Sequence, residues 1–278
     1  MSLLSFVNDC VDVRERFKRE FTKPKLEAKR ELVAPPLTSN YATVGVAFDY
    51  LLRFHVQYLN RRAIERDAWV AERAIEYLEF DEDLHEKGET IIRKARRELA
   101  RYRKSGRVTT ALLESALSIA TLDPIARADV GHEKIGIIDQ GDVSDLHNLI
   151  KAVDKRLFKA KKLCLVNPTF GRTSVLVDGA DADLVIDDTI IEIKTTKKMQ
   201  LTRRDFNQVI GYYILHHIGG VGEIRPKPKI TKVAIYFSRF GYLFVAPIGD
   251  IVNQATFPRF VKWFKERAAE EFPDVMLF

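Results

Sequence analysis

Cysteine is scarce: the chain has only two, Cys10 and Cys164, far apart and outside any Cys-x-x-Cys spacing. A disulfide framework and a thiolate zinc site are both excluded, and a reducing, intracellular setting fits best. Long apolar runs are missing too, none approaching the ~18 residues of a membrane span. The first residues lack the basic segment of a secretory signal and are interrupted by Asn8 and Asp9. A cytoplasmic protein without a membrane partner is therefore expected. Absent as well are the phosphate loop Gly-x-x-x-x-Gly-Lys-Ser/Thr, a Gly-x-Gly-x-x-Gly turn, a Gly-x-Ser-x-Gly elbow and a His-Glu-x-x-His helix. Nucleotide-triphosphatase, dinucleotide-binding, serine-hydrolase and zinc-protease readings lose their main signatures.

What remains is ordinary globular material, 46% hydrophobic and 30% charged, enough apolar surface to fold. At about 150 residues per domain the length suggests two domains. Residues 1–123 read as helices, with stripes such as Val44, Ala47, Phe48, Leu51 and Leu52, or Leu112, Leu113, Ala116 and Leu117. The texture changes at Asp123-Pro124, and residues 124–278 read as a mixed α/β unit. There a helix with Val143, Leu146, Ile150, Val153 and Leu157 inward starts at Asp142 or Ser144. Short strands are predicted at Leu163–Val166, Ser174–Val177, Asp183–Ile186 and Thr189–Lys194, with turns at Asn167-Pro168, Asp178-Gly179 and Asp187-Asp188. A helix opens at Thr202, a hairpin turns at Phe240-Gly241, and a last helix follows Thr256. This order predicts a central mixed sheet carrying helices on its faces.

Net charge is a mild +6, from 45 Lys and Arg against 39 Asp and Glu. The bases cluster, however: Arg93, Lys94, Arg96, Arg97, Arg101, Arg103, Lys104 and Arg107 face a single acid, Glu98. Such a block can grip phosphates, although the solvated face of a helix with Ile92, Ala95, Leu99 and Tyr102 inward is the more ordinary explanation. Lys197, Lys198, Arg203 and Arg204 form a second basic group.

The chemistry concentrates between Gly179 and Lys198. Residues two apart in a strand share a face, so Asp181 pairs with Asp183 and Glu192 with Lys194. If Asp187-Asp188 turns the chain, two carboxylates and an ammonium meet at one end of a hairpin. Mg²⁺ takes hard oxygen ligands, often one or two protein carboxylates, and Asp183 with Glu192 can supply them. Such an ion polarises a phosphoryl oxygen and acidifies its water, and Lys194 can orient that water. A calcium loop fails because Val185 and Ile186 stand where an oxygen ligand and glycine are required. In the next helix Arg204, Gln208 and Tyr212 repeat at four-residue spacing and form a polar stripe that can face the carboxylates.

The ordered set Asp183, Glu192-Ile193-Lys194 and Gln208-Val209-Ile210-Gly211-Tyr212 resembles the PD-(D/E)XK nuclease superfamily in its D, ExK, QxxxY form. That form is found in the nuclease domains of bacterial recombination helicase-nucleases. The resemblance covers roughly residues 146–245. It implies a restriction-endonuclease-like αβββαβ core preceded by a helical region, and metal-dependent hydrolysis of DNA, with Mg²⁺ or Mn²⁺ as cofactor. Asp183, Glu192 and the Ile193 carbonyl would be metal ligands, Lys194 the water-positioning base, and Gln208 with Tyr212 the auxiliary pair. Lys197, Lys198, Arg203 and Arg204 would meet the nucleic acid. Asp181 competes with Asp183 as ligand. For the additional acid that many members carry on the first core helix, Asp145 is the best-placed candidate, with Asp49 and Glu133 behind it. Relatives often hold an iron-sulfur cluster, for which this chain has too few cysteines. A homo-oligomer or a larger defence or repair assembly is compatible with the family. The main rival is a nucleic-acid-binding module that keeps the fold without turnover.

Overall fold

The computed structural model describes residues 2–66 and 68–273. Its first helices are α1 (Leu3–Asp9) and α2 (Val11–Glu20), followed by the long α3 (Tyr41–Leu59) and a two-residue strand β1 (Ile64–Glu65). Then come α4 (Ala74–Tyr77), α5 (Glu82–Ser105), α6 (Thr110–Ala128) and α7 (Gln140–Lys151). The second half runs β2 (Cys164–Val166), α8 (Arg172–Val175), β3 (Leu184–Ile186), β4 (Thr189–Lys194), α9 (Arg203–Gly219), β5 (Lys232–Phe237), β6 (Tyr242–Pro247) and α10 (Phe257–Glu271). Among the described residues no helix is long and apolar enough to cross a membrane.

The six strands form one mixed sheet in the order β1 to β6. β1 lies parallel to β2 and β4 parallel to β5, while the other neighbours run antiparallel. Side chains alternate across the sheet and feed two separate cores. Leu184, Ile186, Ile191, Ile193, Ala234 and Tyr236 join the core built with α3, α5, α6 and α7. Val185, Ile190, Val233, Ile235 and Phe237 join the core built with α1, α2, α9 and α10. The result is a three-layer α/β/α molecule with one mixed sheet, in agreement with the expected α/β class.

Local chemistry sets the ends of the elements. Asp81 accepts from the Leu84 N–H to start α5, and Gly106 closes it at φ +65°, a left-handed conformation that glycine adopts without penalty. Thr202 and Asp205 form a reciprocal capping box at the start of α9. Between β3 and β4 the turn falls at Asp187-Asp188, as expected. Asp187 sits at φ +53° and accepts the N–H groups of Lys161, Lys162 and Leu163.

Several expectations need correction. The strand predicted at Ser174–Val177 is the one-turn helix α8, because Ser174 accepts from the Phe170 N–H and donates to the Ala180 carbonyl. α7 is capped by Asp139, which precedes both predicted caps. The boundary between 123 and 124 falls inside α6, which continues through Pro124 to Ala128. Nor do residues 1–123 form one layer: α1 and α2 cover one face of the sheet, α3 to α6 the other, and β1 belongs to the sheet itself. Apolar side chains of the first helices are needed on both faces, so the chain cannot be cut there.

Candidate active site

Asp183 ends the β3 ladder with its side chain. Its Oδ2 accepts the Ile193 N–H at 2.6 Å, where a backbone carbonyl would otherwise stand. N–H and C=O of one strand residue point to the same side, so the Ile193 carbonyl faces the same edge as Asp183. Glu192 and Lys194 project on the α9 side of β4. Lys194 Nζ donates to Glu192 Oε1 at 2.8 Å and to Gln208 Oε1 at 2.9 Å, and Gln208 Nε2 donates to Tyr212 Oη at 2.8 Å. Tyr212 in turn stacks on Phe170 with centroids 5.5 Å apart. The structure thus brings Asp183, Glu192, Lys194, Gln208 and Tyr212 together at one end of the sheet.

Burial governs their protonation. Glu192 is 6% exposed, and its Oε2 has no hydrogen-bond partner among the described residues. Burial first, then the Asp183 charge, push its carboxyl up to about 8, against the pull of Lys194. Burial also works against the Lys194 ammonium, yet Glu192, Asp205 and Asp183 together hold it above its ordinary value. Lys194 is therefore a cation whose Nζ also lies 3.7 Å from Asp205. Burial raises Tyr212 well above its ordinary value, so it stays a phenol.

From the opposite layer α3 contributes Asp49 and Arg53. The Arg53 guanidinium donates from Nε to Asp49 at 3.1 Å, from its other nitrogen to the same carboxylate, and reaches Asp183 Oδ1 at 3.4 Å. Burial raises Asp49 well above its usual range, Asp183 and Glu192 adding to the effect and Arg53 only partly offsetting it. A cavity of about 360 Å³ opens here between Tyr41, Asp49, Asp123, Arg127, Asp183 and Glu192. Arg127, held to Asp123 at 2.9 Å, also lines a larger cleft of about 940 Å³ with Arg66, Arg73, Tyr77 and Asp181.

The remaining candidates are placed elsewhere. Asp145 is fully buried in a two-bond ion pair with Arg239, at 2.8 and 3.0 Å, and takes no part in the carboxylate group. Asp145 lies on α7, which turns it toward Arg239 in the β5–β6 turn. Asp49, the weaker candidate, is the acid that reaches the site, and Glu133 lies exposed in a 3₁₀ turn. Asp181 accepts from Asn167 at 2.9 Å and faces the larger cleft. Arg204 pairs with Asp9 at 3.0 Å, and Arg203 donates to the Phe21 carbonyl at 3.2 Å, so both fasten the first helices. The α9 stripe facing the carboxylates is therefore Asp205, Gln208 and Tyr212. Lys197 sits 3.7 Å above the Tyr41 ring at the cavity rim, and Lys198 is exposed. Arg53 was not foreseen, since a basic residue on a helix carries no local signal that it will reach carboxylates of another element.

Donor chemistry can be set against a hard cation. Among the described residues no three His, Cys, Asp or Glu side chains converge as a ready metal cage. Asp183, the orphaned Glu192 oxygen and the Ile193 carbonyl nonetheless make an oxygen set of the kind Mg²⁺ accepts when solvent and substrate complete it. Comparison with known proteins found no matching family model, no matching curated protein and no matching solved structure.

Proposed function

We propose that the chain is a metal-dependent nuclease of the PD-(D/E)XK type, hydrolysing DNA phosphodiester bonds. The observation that carries this reading is the continuous Glu192–Lys194–Gln208–Tyr212 network beside Asp183, with one Glu192 oxygen buried and unpartnered. The element order α7, β2, β3, β4, α9, β5 supports it, the one-turn α8 being an insertion between β2 and β3 of the αβββαβ pattern. Asp183, Glu192 and the Ile193 carbonyl would hold Mg²⁺ or Mn²⁺. When bound, the ion supplies an acidified water and positive charge at the phosphoryl oxygens.

This chain's own residues then do the rest. Lys194 stays charged, orients the attacking water and meets the charge that develops on phosphorus-bound oxygen. Gln208 fixes Lys194, and Tyr212 fixes Gln208, so the ammonium has little freedom to drift. Asp49 is the additional acid of the site. Lys197, Lys198 and Arg127 line the approach and favour a polyanion.

One observation favours a second reading. The Arg53 guanidinium already bridges Asp49 and Asp183, and a protein cation in that position suits a nucleic-acid-binding module without turnover. Purified wild type and Glu192→Gln, incubated with linear and circular DNA in Mn²⁺, Mg²⁺ or EDTA, distinguish the two. The nuclease reading expects metal-dependent cleavage that falls by at least about 10²-fold in the variant, the scale lost with one electrostatic group. Salt-sensitive binding with no cleavage by wild type would establish the binding module instead.

A further inference from the structure

A further cavity, of about 540 Å³, lies between the C-terminal ends of α3 and α5 and is lined by Gln57, Arg61, Ala100, Arg103 and Lys104. Among the described residues its lining has three cations and no carboxylate. Gln57 is Asp49 plus eight along α3, about 12 Å at 1.5 Å per residue, so the cavity is separate from the carboxylate site.

The basic block of α5 divides in an informative way. Arg93 pairs with Glu89 at 3.2 Å, Lys94 with Glu114 at 3.8 Å and Arg101 with Glu98 at 2.7 Å. Arg96 pairs with Glu72 at 2.5 Å. Among the described residues, Arg61, Arg103 and Lys104 have no hydrogen bond or ion pair, and all three are exposed; Arg97 and the Arg107 side chain are likewise unpaired but lie outside the cavity. Gln57 is 3% exposed at the base of the cavity, and its Nε2 has no hydrogen-bond partner. Bases in the last turn of a helix also complement its dipole, but Arg61 comes from a different segment, after α3. The two helix ends contribute about −0.5 charge each, against three full positive charges.

We propose that this cavity is a phosphate-binding site, taking the phosphate groups of a small polyphosphate or of a nucleic-acid backbone. Three ammonium and guanidinium groups around one concavity, none of them neutralised by an ion pair, are the chemistry that holds phosphate oxygens.

Thermal denaturation in EDTA at constant chloride tests this. Inorganic pyrophosphate is expected to raise the midpoint of wild type and to leave the variant Arg61→Ala/Arg103→Ala/Lys104→Ala unmoved. All three side chains are exposed, so the variant should fold, and its midpoint without ligand verifies that. The single variant Lys104→Glu provides an independent check, expected to bind pyrophosphate at least about tenfold more weakly by reversing one charge. Arg93→Ala/Arg97→Ala, which removes cations of the same helix outside the cavity, should keep the shift. No shift in wild type, or an equal loss in that control, would overturn the proposal. A labelled short oligothymidylate separates the sources: competition with pyrophosphate identifies a nucleic-acid backbone, and its absence a small polyphosphate. Because metal is chelated and no turnover is read, the outcome is independent of the cleavage experiment.

Discussion

Arg53 and His55 stand two positions apart on α3; burial works against the charge of both, with opposite outcomes. Arg53 stays charged because Asp49 and Asp183 surround it. His55 has its Nδ1 2.5 Å from the Tyr102 hydroxyl and an Nε2 without a partner, and burial with some help from Lys155 lowers it to about 4. The unfolded chain therefore takes up a proton near pH 6.5, the ordinary histidine value, before the folded one does. The stability that neutral His55 contributes is full above about pH 6.5 and drains away as pH falls toward 4, on the order of 3 kcal/mol in all. Glu192, raised to about 8, contributes the opposite slope, so the histidine's share has to be read as a difference. Urea unfolding of wild type and His55→Gln at pH 7.5 and 4.5 should show wild type losing stability relative to the variant on acidification. Parallel pH dependence in the two proteins would show that folding leaves the titration of His55 unshifted. Neither residue was legible at this level from sequence. The alternation Glu192-Ile193-Lys194 announced its own geometry, whereas a charge on α3 can face water or a carboxylate, and only the tertiary packing decides.

At the level of elements, the hairpin of β3 and β4 and the helix α9 were readable because their signals are local. Turn aspartates, β-branched runs and a Thr-x-x-Asp capping box act within a few residues. α8 was not, since Val175, Leu176 and Val177 have strand-like character, and the turn is set by backbone bonds together with the Ser174 hydroxyl's bonds to Phe170 and Ala180. Asp145 shows the same division: its helix was foreseen, its partner was not. Arg239 lies 94 residues on and ties the β5–β6 turn to α7 through two bonds, with both side chains about 1% exposed. Asp145→Ala leaves that guanidinium buried without its counter-charge, and should cost about 3–5 kcal/mol. The double change Asp145→Leu/Arg239→Met should recover much of the loss, because removing both charges also removes the cost of burying them. Denaturant midpoints of the three proteins measure this. Normal stability of Asp145→Ala accompanied by lost DNA cleavage would instead return Asp145 to the catalytic group.

Over the whole molecule, the α/β class and the mixed sheet followed from the strand and helix patterns, but the division at residue 123 did not survive. Hydrophobic stripes show that a helix has a buried face without showing what covers it. Leu3, Phe6, Val7, Val13 and Phe17 look like any amphipathic start, yet they pack on α9 and α10. Phe17 is fully buried and meets Phe21, Phe260 and Phe264 with centroids 5.3 to 6.1 Å apart. Asp9 and the Val7 carbonyl hold Arg204 and Asn207, so the first helices fasten the same α9 that carries Gln208 and Tyr212. The chain has two tryptophans, and the layers share them: Trp69 belongs to the core on the α3 side and Trp263 packs on the core on the α9 side. Because one sheet supplies alternate side chains to both cores, neither layer can melt and leave the other its floor. Phe17→Ala should therefore cost about 3–5 kcal/mol, the usual range for a buried phenylalanine, and should lower both tryptophan transitions together. Fluorescence unfolding of Phe17→Ala in Trp69→Phe and Trp263→Phe backgrounds reads each layer separately. A fall confined to the Trp263 signal would mean two independently folding units, and the N-terminal helices would then stabilise one layer without the other.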